Sequence, residues 1–260
     1  MADPIEQFEV HKIVDLPDLP TPWGVIDLAI TNSTVAMTAA FAVVVLAMSV
    51  VTAKPQIVPG RVQMTGELLF SMIDDLAHTL IGHDSRKYFP FAFTLFTFIL
   101  AMNFLGLFLV FTATSQLAIT VTLAVMTIAL VIVVGFVKNG LGFFKLFVPS
   151  GVPIFVLPFV VLIEFVSFLL RPFTLALRLF GNMMGGHVAL KVFAGFIIAL
   201  GGLAAGGGLG LLGIPGAILS LGGVVALTAL EFLVAFLQAF VFTVLTCIYL
   251  NDVVNLGHGH

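Results

Sequence analysis

The chain has 260 residues, of which 60% are apolar, 12% aromatic and 9% charged, and its mean hydropathy is +1.22. Soluble domains average about 25% charged residues, so there are too few charges here to coat a water-facing surface, and the chain belongs in a bilayer. A net charge of -3 offers no basic field to nucleic acid, and the one cysteine, Cys247, excludes a disulfide framework or a cysteine-rich metal site.

Residues 1–33 are polar and acidic. Asp3, Glu6, Glu9, Asp15, Asp18 and Asp27 oppose Lys12 alone, and Pro17, Pro20 and Pro22 prevent a regular helix. The start has neither the positive charge nor the apolar core of a signal peptide. It reads as an extended tail on the membrane surface. Residues 34–53 form an uncharged run of 20, about 30 Å as a helix and enough to span the hydrocarbon. Thr31, Asn32 and Ser33 are candidate N-caps. Asn32-Ser33-Thr34 also matches a glycosylation sequon, but at the mouth of a span capping is the better reading. Lys54-Pro55 stops the helix.

Residues 62–81 differ. Leu69, Met72, Ile73, Leu76 and Leu80 share one helical face, and Glu67, Asp74, Asp75 and His78 the other. This pattern predicts an amphipathic helix lying in the interface. Residues 89–112, with Asn103 inside, and 117–137 read as a second and third span. The link between them, 113–116, has no Lys or Arg, and Lys138-Asn139-Gly140 ends the third span. Two longer runs remain, 153–200 and 215–250, of 48 and 36 residues. As helices they measure about 72 and 54 Å, so they must tilt strongly or break. Pro158 and Pro172 are candidate breaks, and Gly181, Gly185 and Gly186 soften the first run. The expected fold is an all-α polytopic membrane protein: a tail (1–33) and one membrane domain (34–260). That domain holds three roughly upright spans, one interfacial helix and two long tilted helices forming a hairpin.

Basic residues set the orientation. Lys54, Arg61, Arg86 and Lys87 lie between the first two spans, and Lys138 and Lys145 come after the third. Their side is the cytoplasmic one, which places the N-terminus outside and the C-terminus inside. Trp23, Tyr88 and Tyr249 then fall near interfaces, where amphipathic rings belong.

Glu164, Arg171, Arg178, His187 and Lys191 lie inside the first long run and Glu231 inside the second. A charge at the bilayer centre costs about 2.5–3.5 kcal/mol even on the lenient insertion scale. Snorkelling serves Glu164 and Lys191 near helix ends. It fails for Arg178, which has 25 residues of its run before it and 22 after. Glu164, Arg171 and Arg178 are seven apart and share a stripe that Asn182 continues, with Ser167 and Thr174 near it. His187 is nine beyond Arg178, about 180° around the helix and roughly 13 Å along it. Glu231 and Gln238 form a matching stripe on the second run. An ion route interrupted by a fixed positive charge explains this pattern better than a merely solvated seam.

Leu175-Ala176-Leu177-Arg178-Leu179-Phe180-Gly181-Asn182-Met183 resembles the signature of the a-subunit family of F-type ATP synthases. Gln238-Ala239-Phe240-Val241-Phe242 resembles that family's last-helix motif, and Pro4-Ile5-Glu6-Gln7-Phe8-Glu9-Val10 looks like alphaproteobacterial members. The resemblance covers essentially the whole chain. It implies a non-catalytic stator, without cofactor or metal, in a bacterial inner membrane. The implied partners are a ring of c subunits, peripheral-stalk b-type subunits, the lipid bilayer and, indirectly, the soluble ATPase head. Protons would enter by one aqueous half-channel, ride on ring carboxylates and leave by the other. By the family's layout Asn182, His187, Glu231 and Gln238 line the outer half-channel, Glu164 and Ser167 lie towards the cytoplasmic one, and Arg178 separates them. Many bacterial members carry Glu at the position of His187 and His at that of Glu231. The exchange keeps one acid and one imidazole between the helices.

Two other readings are weaker. Gly208-Leu209-Gly210-Leu211-Leu212-Gly213 fits the dinucleotide pattern, yet no alternating strand precedes it and Pro215 interrupts the helix after it, so the strand–turn–helix context is missing. No Walker A motif is present. His258 and His260 read as a frayed polar tail. A stand-alone proton-coupled transporter would show paired broken helices in both halves, whereas the charges here concentrate in the last two runs.

Overall fold

The computed structural model describes residues 11–14, 19–21, 24–26, 29–53, 55–108, 113–148, 152–153, 155–205 and 213–256. The Pro4–Val10 motif, Trp23, Lys54, residues 109–112, the start of the glycine-rich motif at Gly208, and His258 and His260 lie outside them.

Six α-helices account for most of the described residues, and the chain is an all-α polytopic membrane protein. The strands among the described residues are short and precede the first helix. β1 (Lys12–Val14) pairs antiparallel with β4 (Ile30–Thr31), and β2 (Leu19–Thr21) with β3 (Gly24–Ile26). Of the candidate caps, Thr31 is the one used. It is extended, and its side chain accepts from the Thr34 amide, which starts α1 (Asn32–Thr52). The Ser33 hydroxyl donates to Gln116 Oε1 at 3.2 Å and ties this helix to the 113–116 link.

α2 (Arg61–Ile81) buries Ile73, Ala77 and Ile81, while Glu67, Asp75 and His78 stay exposed. It ends at Gly82, whose φ of +78° suits glycine alone. A short 3-10 turn (Gly82–Asp84) leads into α3 (Ser85–Phe108). α4 (Leu117–Asn139) ends at Gly140, with φ of +54°. A 3-10 segment (Gly140–Phe147) comes next, and its Phe143 and Phe147 meet Phe168 edge-on. These rings dock the segment on α5 (Leu157–Ala205), which is succeeded by α6 (Gly213–Val254).

Neither proline breaks α5. The helix begins four residues later than the apolar run, after a turn in which the Pro153 carbonyl accepts from the amides of Val156 and Leu157. Pro158 therefore falls in the first turn, where its missing N–H has no intrahelical acceptor to lose. Pro172 lies inside a helix that continues through it for 49 residues, about 73 Å.

α5 and α6 are antiparallel along their whole contact. Arg171 meets Asp252, Asn182 meets Gln238, Gly186 meets Glu231, Phe193 lies over Gly223, and Leu200 sits against Gly216 and Gly213. Gly213 is required at the tip, since a Cβ there would strike the Leu200 carbonyl oxygen. On its other sides α6 packs on α2, α3 and α4. Ala92 on α3 and Ala235 and Ala239 on α6 are fully buried. Such small residues let helix backbones approach where lipid supplies no hydrophobic drive. Beyond the sheath, α5 and α6 expose Phe159, Leu162, Phe173, Ile218, Leu219 and Leu233, among others. Five segments are long and apolar enough to cross a membrane: Asn32–Thr52, Arg61–Phe108, Leu117–Phe147, Leu157–Ala204 and Gly213–Val254.

At the end of the bundle where α6 stops, Asn139 Nδ2 donates to the Val253 carbonyl at 2.7 Å and Asn255 Nδ2 to the Ile81 carbonyl at 3.1 Å. Lys138 pairs with Asp84 there. A Cβ on Gly135 would lie 2.7 Å from Phe143 Cε2 and 3.4 Å from Val253 Cβ, in this closed corner. One on Gly181 would meet nothing within 4 Å. Gly135→Ala should therefore destabilise the solubilised protein by about 1–3 kcal/mol through overpacking. Gly181→Ala should be neutral or stabilising, by up to ~1 kcal/mol, from helix propensity. Thermal unfolding of both variants in detergent checks this, and equal losses would contradict the packing described.

Candidate functional site

α5 and α6 carry every ionisable group that the sequence places inside the two long runs, and their register decides which of them meet. Towards the α6 C-terminus, Arg171 is the hub. Its Nη1 donates to Asp252 Oδ2 at 3.0 Å, and its Nη2 lies 3.7 Å from Glu164 Oε1. The guanidinium also stacks over the rings of Tyr249 and Phe168, 4.8 and 5.5 Å from their centroids. A planar, permanently charged fork suits such a site, because it satisfies two carboxylates while its faces rest on aromatic carbon. Ser167 and Thr174 are exposed nearby, and Thr174 Oγ1 donates to the Arg171 carbonyl at 3.0 Å.

Asp252 escaped the sequence reading. It lies just beyond the end of the apolar run, and its partner is 81 residues away in the chain. The available signal was a charge imbalance: two arginines of one run, Arg171 and Arg178, have a single carboxylate, Glu164, on the same stripe, so a second acid is wanted from elsewhere. The shared stripe set only Glu164, one of the two carboxylates, beside Arg171.

Further along the hairpin, Asn182 Nδ2 donates to Gln238 Oε1 at 2.9 Å. Gly186, four residues on, has Glu231 filling the space where a Cβ would stand. The next residue is His187, so the acid and the imidazole that the sequence pairs across the helices are brought to one level. Both carboxyl oxygens of Glu231 are buried without a hydrogen-bond partner among the described residues. Lys191 lies one turn beyond His187 on the same helix, and its charge acts on the imidazole.

Arg178 stands between these two groups and pairs with a carboxylate of neither, although its charge reaches Tyr249 of the first. Leu175, Ala176 and Leu179 around it are buried in the bundle, whereas Arg178 is exposed, as are Phe173, Thr174 and Leu177 on the same stretch of helix. No carboxylate among the described residues pairs with it. The single stripe expected for Glu164, Arg171, Arg178 and Asn182 is thus divided. Glu164 and Arg171 form one cluster, Asn182 turns to Gln238, and Arg178 faces out of the chain.

A profile of the family described as ATP synthase A chain matches residues 34–251. The chain is 48% identical over 258 residues to ATP synthase subunit a of Rhodopseudomonas palustris (strain HaA2), which covers 99% of each chain. It is 49% identical over 257 residues to ATP synthase subunit a 1 of Brucella anthropi, covering 98% of this chain and 99% of the relative. It is 47% identical over 268 residues to ATP synthase subunit a of Maricaulis maris, covering 99% of this chain and all of the relative.

The notch at Gly186 makes a clear test of this geometry. Gly186→Ala pushes a methyl into the Glu231 carboxyl and should cost about 1–3 kcal/mol. In a Glu231→Ala background the same substitution has room, so its cost should fall close to zero. A double-mutant cycle on thermal unfolding measures that coupling, and additive effects would show that the two residues do not touch.

Proposed function

The chain belongs to the ATP synthase A chain family, the family of a membrane subunit and not of the catalytic one, and on that premise we propose that it is the proton-conducting stator of a rotary ATP synthase. In this reading the exposed face of the α5–α6 hairpin rests against a ring of c subunits, each with one mid-membrane carboxylate. Arg178 carries the argument. It is an exposed cation on a largely apolar face, with no carboxylate partner among the described residues of its own chain, and a passing ring carboxylate is the counter-charge it lacks.

The residues on either side then have separable tasks. Asn182, His187, Glu231 and Gln238 pass protons from the outer side. Imidazole and carboxyl suit a relay because both gain and lose a proton within the physiological range once their surroundings tune them. A protonated ring carboxylate is neutral and can enter lipid. After its circuit it meets the inner path, where Glu164 and Ser167, with Asp252 held by Arg171, lead the proton towards the cytoplasm. Arg178 favours the ionised carboxylate and so promotes release. It also repels a proton crossing directly from one path to the other. From Glu164 to His187 is 23 residues, about 35 Å along α5, enough to place the two paths towards opposite faces of a bilayer. Each proton driven through 100 mV carries about 2.3 kcal/mol, which a leak past Arg178 would dissipate.

The same reading places the protein as a multi-pass subunit of a bacterial inner membrane, with the tail (1–33) outside, the C-terminus inside and residues 62–81 in the interface. The c-ring, b-type stalk subunits and, through them, the soluble head are its partners.

Arg178→Lys keeps a formal charge but loses the fork, shortens the reach and admits a neutral form in a low-dielectric site. It should abolish ATP-driven proton pumping in reconstituted vesicles while the complex still copurifies with its ring and head. Normal coupled pumping by this variant would overturn the assignment. Orientation has its own check. A cysteine at position 164, in a background lacking Cys247, should react with hydrophilic reagents from the cytoplasmic side, whereas labelling only from outside would reverse the topology.

A further inference from the structure

A cleft of about 360 Å³ opens where the end of α1, the start of α2 and the first turns of α3 meet, away from the α5–α6 hairpin. Its size falls in the range of small-molecule sites, about 300–1,000 Å³. Met48, Val51, Pro55, Phe70 and Phe93 give it apolar walls. Phe70 and Phe93 belong to a cluster with Phe89, with ring centroids 4.6 to 5.7 Å apart. Gly66 lets α1 and α2 close on each other beside the cleft, since a Cβ there would lie 2.6 Å from Val51 Cγ1. α1 is otherwise lightly held. Its buried residues are Ser33 and Ala40, both in its first half, and Leu46 and Val50 near the cleft are exposed.

The polar groups of the cleft are unequal. The Thr52 hydroxyl donates to the Met48 carbonyl at 2.8 Å. Gln63 is fully used: its Oε1 accepts from the Gln56 amide at 3.1 Å, and its Nε2 donates to the Gln56 carbonyl at 3.1 Å and to Glu67 Oε1 at 2.7 Å. An amide and a carboxylate four apart are ordinary helix neighbours. Here the same amide also straps the link before α2, so the Glu67 carboxylate is held at a fixed edge of the cleft. No cation among the described residues pairs with it. The cleft thus offers apolar walls and one placed anion. Apolar walls of this kind do not hold water, and an empty gap forfeits their packing. One turn of helix, about 10 Å across, takes roughly 420 Å³, so a partner helix covers this cleft without entering it, whereas a single acyl chain enters. α1 is 21 residues, about 32 Å long. Its last turn therefore lies at the edge of the hydrocarbon, where an acyl chain meets its headgroup.

We propose that this cleft binds one phospholipid with an ammonium headgroup, its acyl chain against Phe70 and Phe93 and its ammonium on Glu67. The carboxylate accepts from the ammonium and repels an anionic headgroup. Phe70, three residues after Glu67 and on the same side of α2, offers a ring face to the same cation. The bound lipid fastens the loosely held second half of α1 to α2. The site is independent of the proton-path reading of α5 and α6 and stands or falls without it.

The test uses the whole complex in vesicles of equal parts phosphatidylethanolamine and phosphatidylglycerol. One preparation carries a trace of phosphatidylethanolamine with a photoreactive diazirine in an acyl chain, and a second carries phosphatidylglycerol with the same chain. After illumination, mass spectrometry maps the labelled residues. The ethanolamine probe should label residues 48–52 and Phe93 several-fold more than the glycerol probe. Glu67→Gln should bring the two probes level there, and Glu67→Lys should reverse their order. Met48→Trp fills the cleft and should remove both labels from it, while labelling at Phe41, on the open face of α1, stays unchanged. Equal labelling of the cleft by both probes in the unmodified complex marks ordinary boundary lipid and would overturn the proposal. So would a preference that survives Glu67→Gln, since the carboxylate then recognises nothing. Label at Phe41 with none in the cleft marks a cleft sealed by a partner protein and would overturn it as well. If Met48→Trp does not assemble, the two Glu67 variants, changed at an exposed position, decide the matter alone.

Discussion

The antiparallel register between α5 and α6 is the constraint on which the rest of the structure depends. Charge in a medium of low dielectric is costly unless it is paired. Both long helices carry polar groups through their apolar lengths, and one register brings those groups together. It seats Asp252 on Arg171, Gln238 on Asn182 and Glu231 in the notch of Gly186. A slip of one residue in either helix would turn these contacts by about 100° and bury unmatched groups. The sheath of α2, α3 and α4 around α6 holds the register, and the glycine tip at Gly213 lets the two helices meet closely at the far end.

That register also explains why Arg178 is conspicuous. Arg171 spends its charge on two carboxylates and its faces on two rings. Arg178, two turns further along the same helix, has none of this among the described residues. The energetic contrast between two arginines of one helix is the strongest indication that Arg178 is completed by something outside the chain. The exposed apolar side chains on the same helix extend that argument from one residue to a surface.

Much of this was legible in the sequence, for identifiable reasons. Hydropathy alone indicated a helical membrane protein, because in lipid a helix satisfies its own backbone. The charges of α5 and α6 stood out because apolar runs make a single Arg visible, and the Leu175–Met183 motif gave them a family, to which the matched residues 34–251 belong. What escaped was long-range or subtractive. Asp252 lay beyond an apolar run and became informative only when the fold delivered it to Arg171. Asn103 was a lone polar residue until the fold set its amide against the Ala235 carbonyl of α6. Gly186 read as a softener of the helix, whereas its role is to leave space for Glu231. The prolines misled in the other direction. Pro158 and Pro172 read as breaks, yet the first sits where a helix needs no amide and the second is carried by the packing of a long helix.

The central claim is that one fixed cation keeps two proton paths apart. The most direct test is passive proton flux across vesicles in which the ring is held to this subunit by an engineered cross-link, so that no proton can travel by rotation. The unmodified complex should then be tight, and Arg178→Ala should conduct, because the barrier between the paths has gone. An Arg178→Ala complex that stays as tight as the unmodified one, with the cross-link in place and the ring present, would contradict the account.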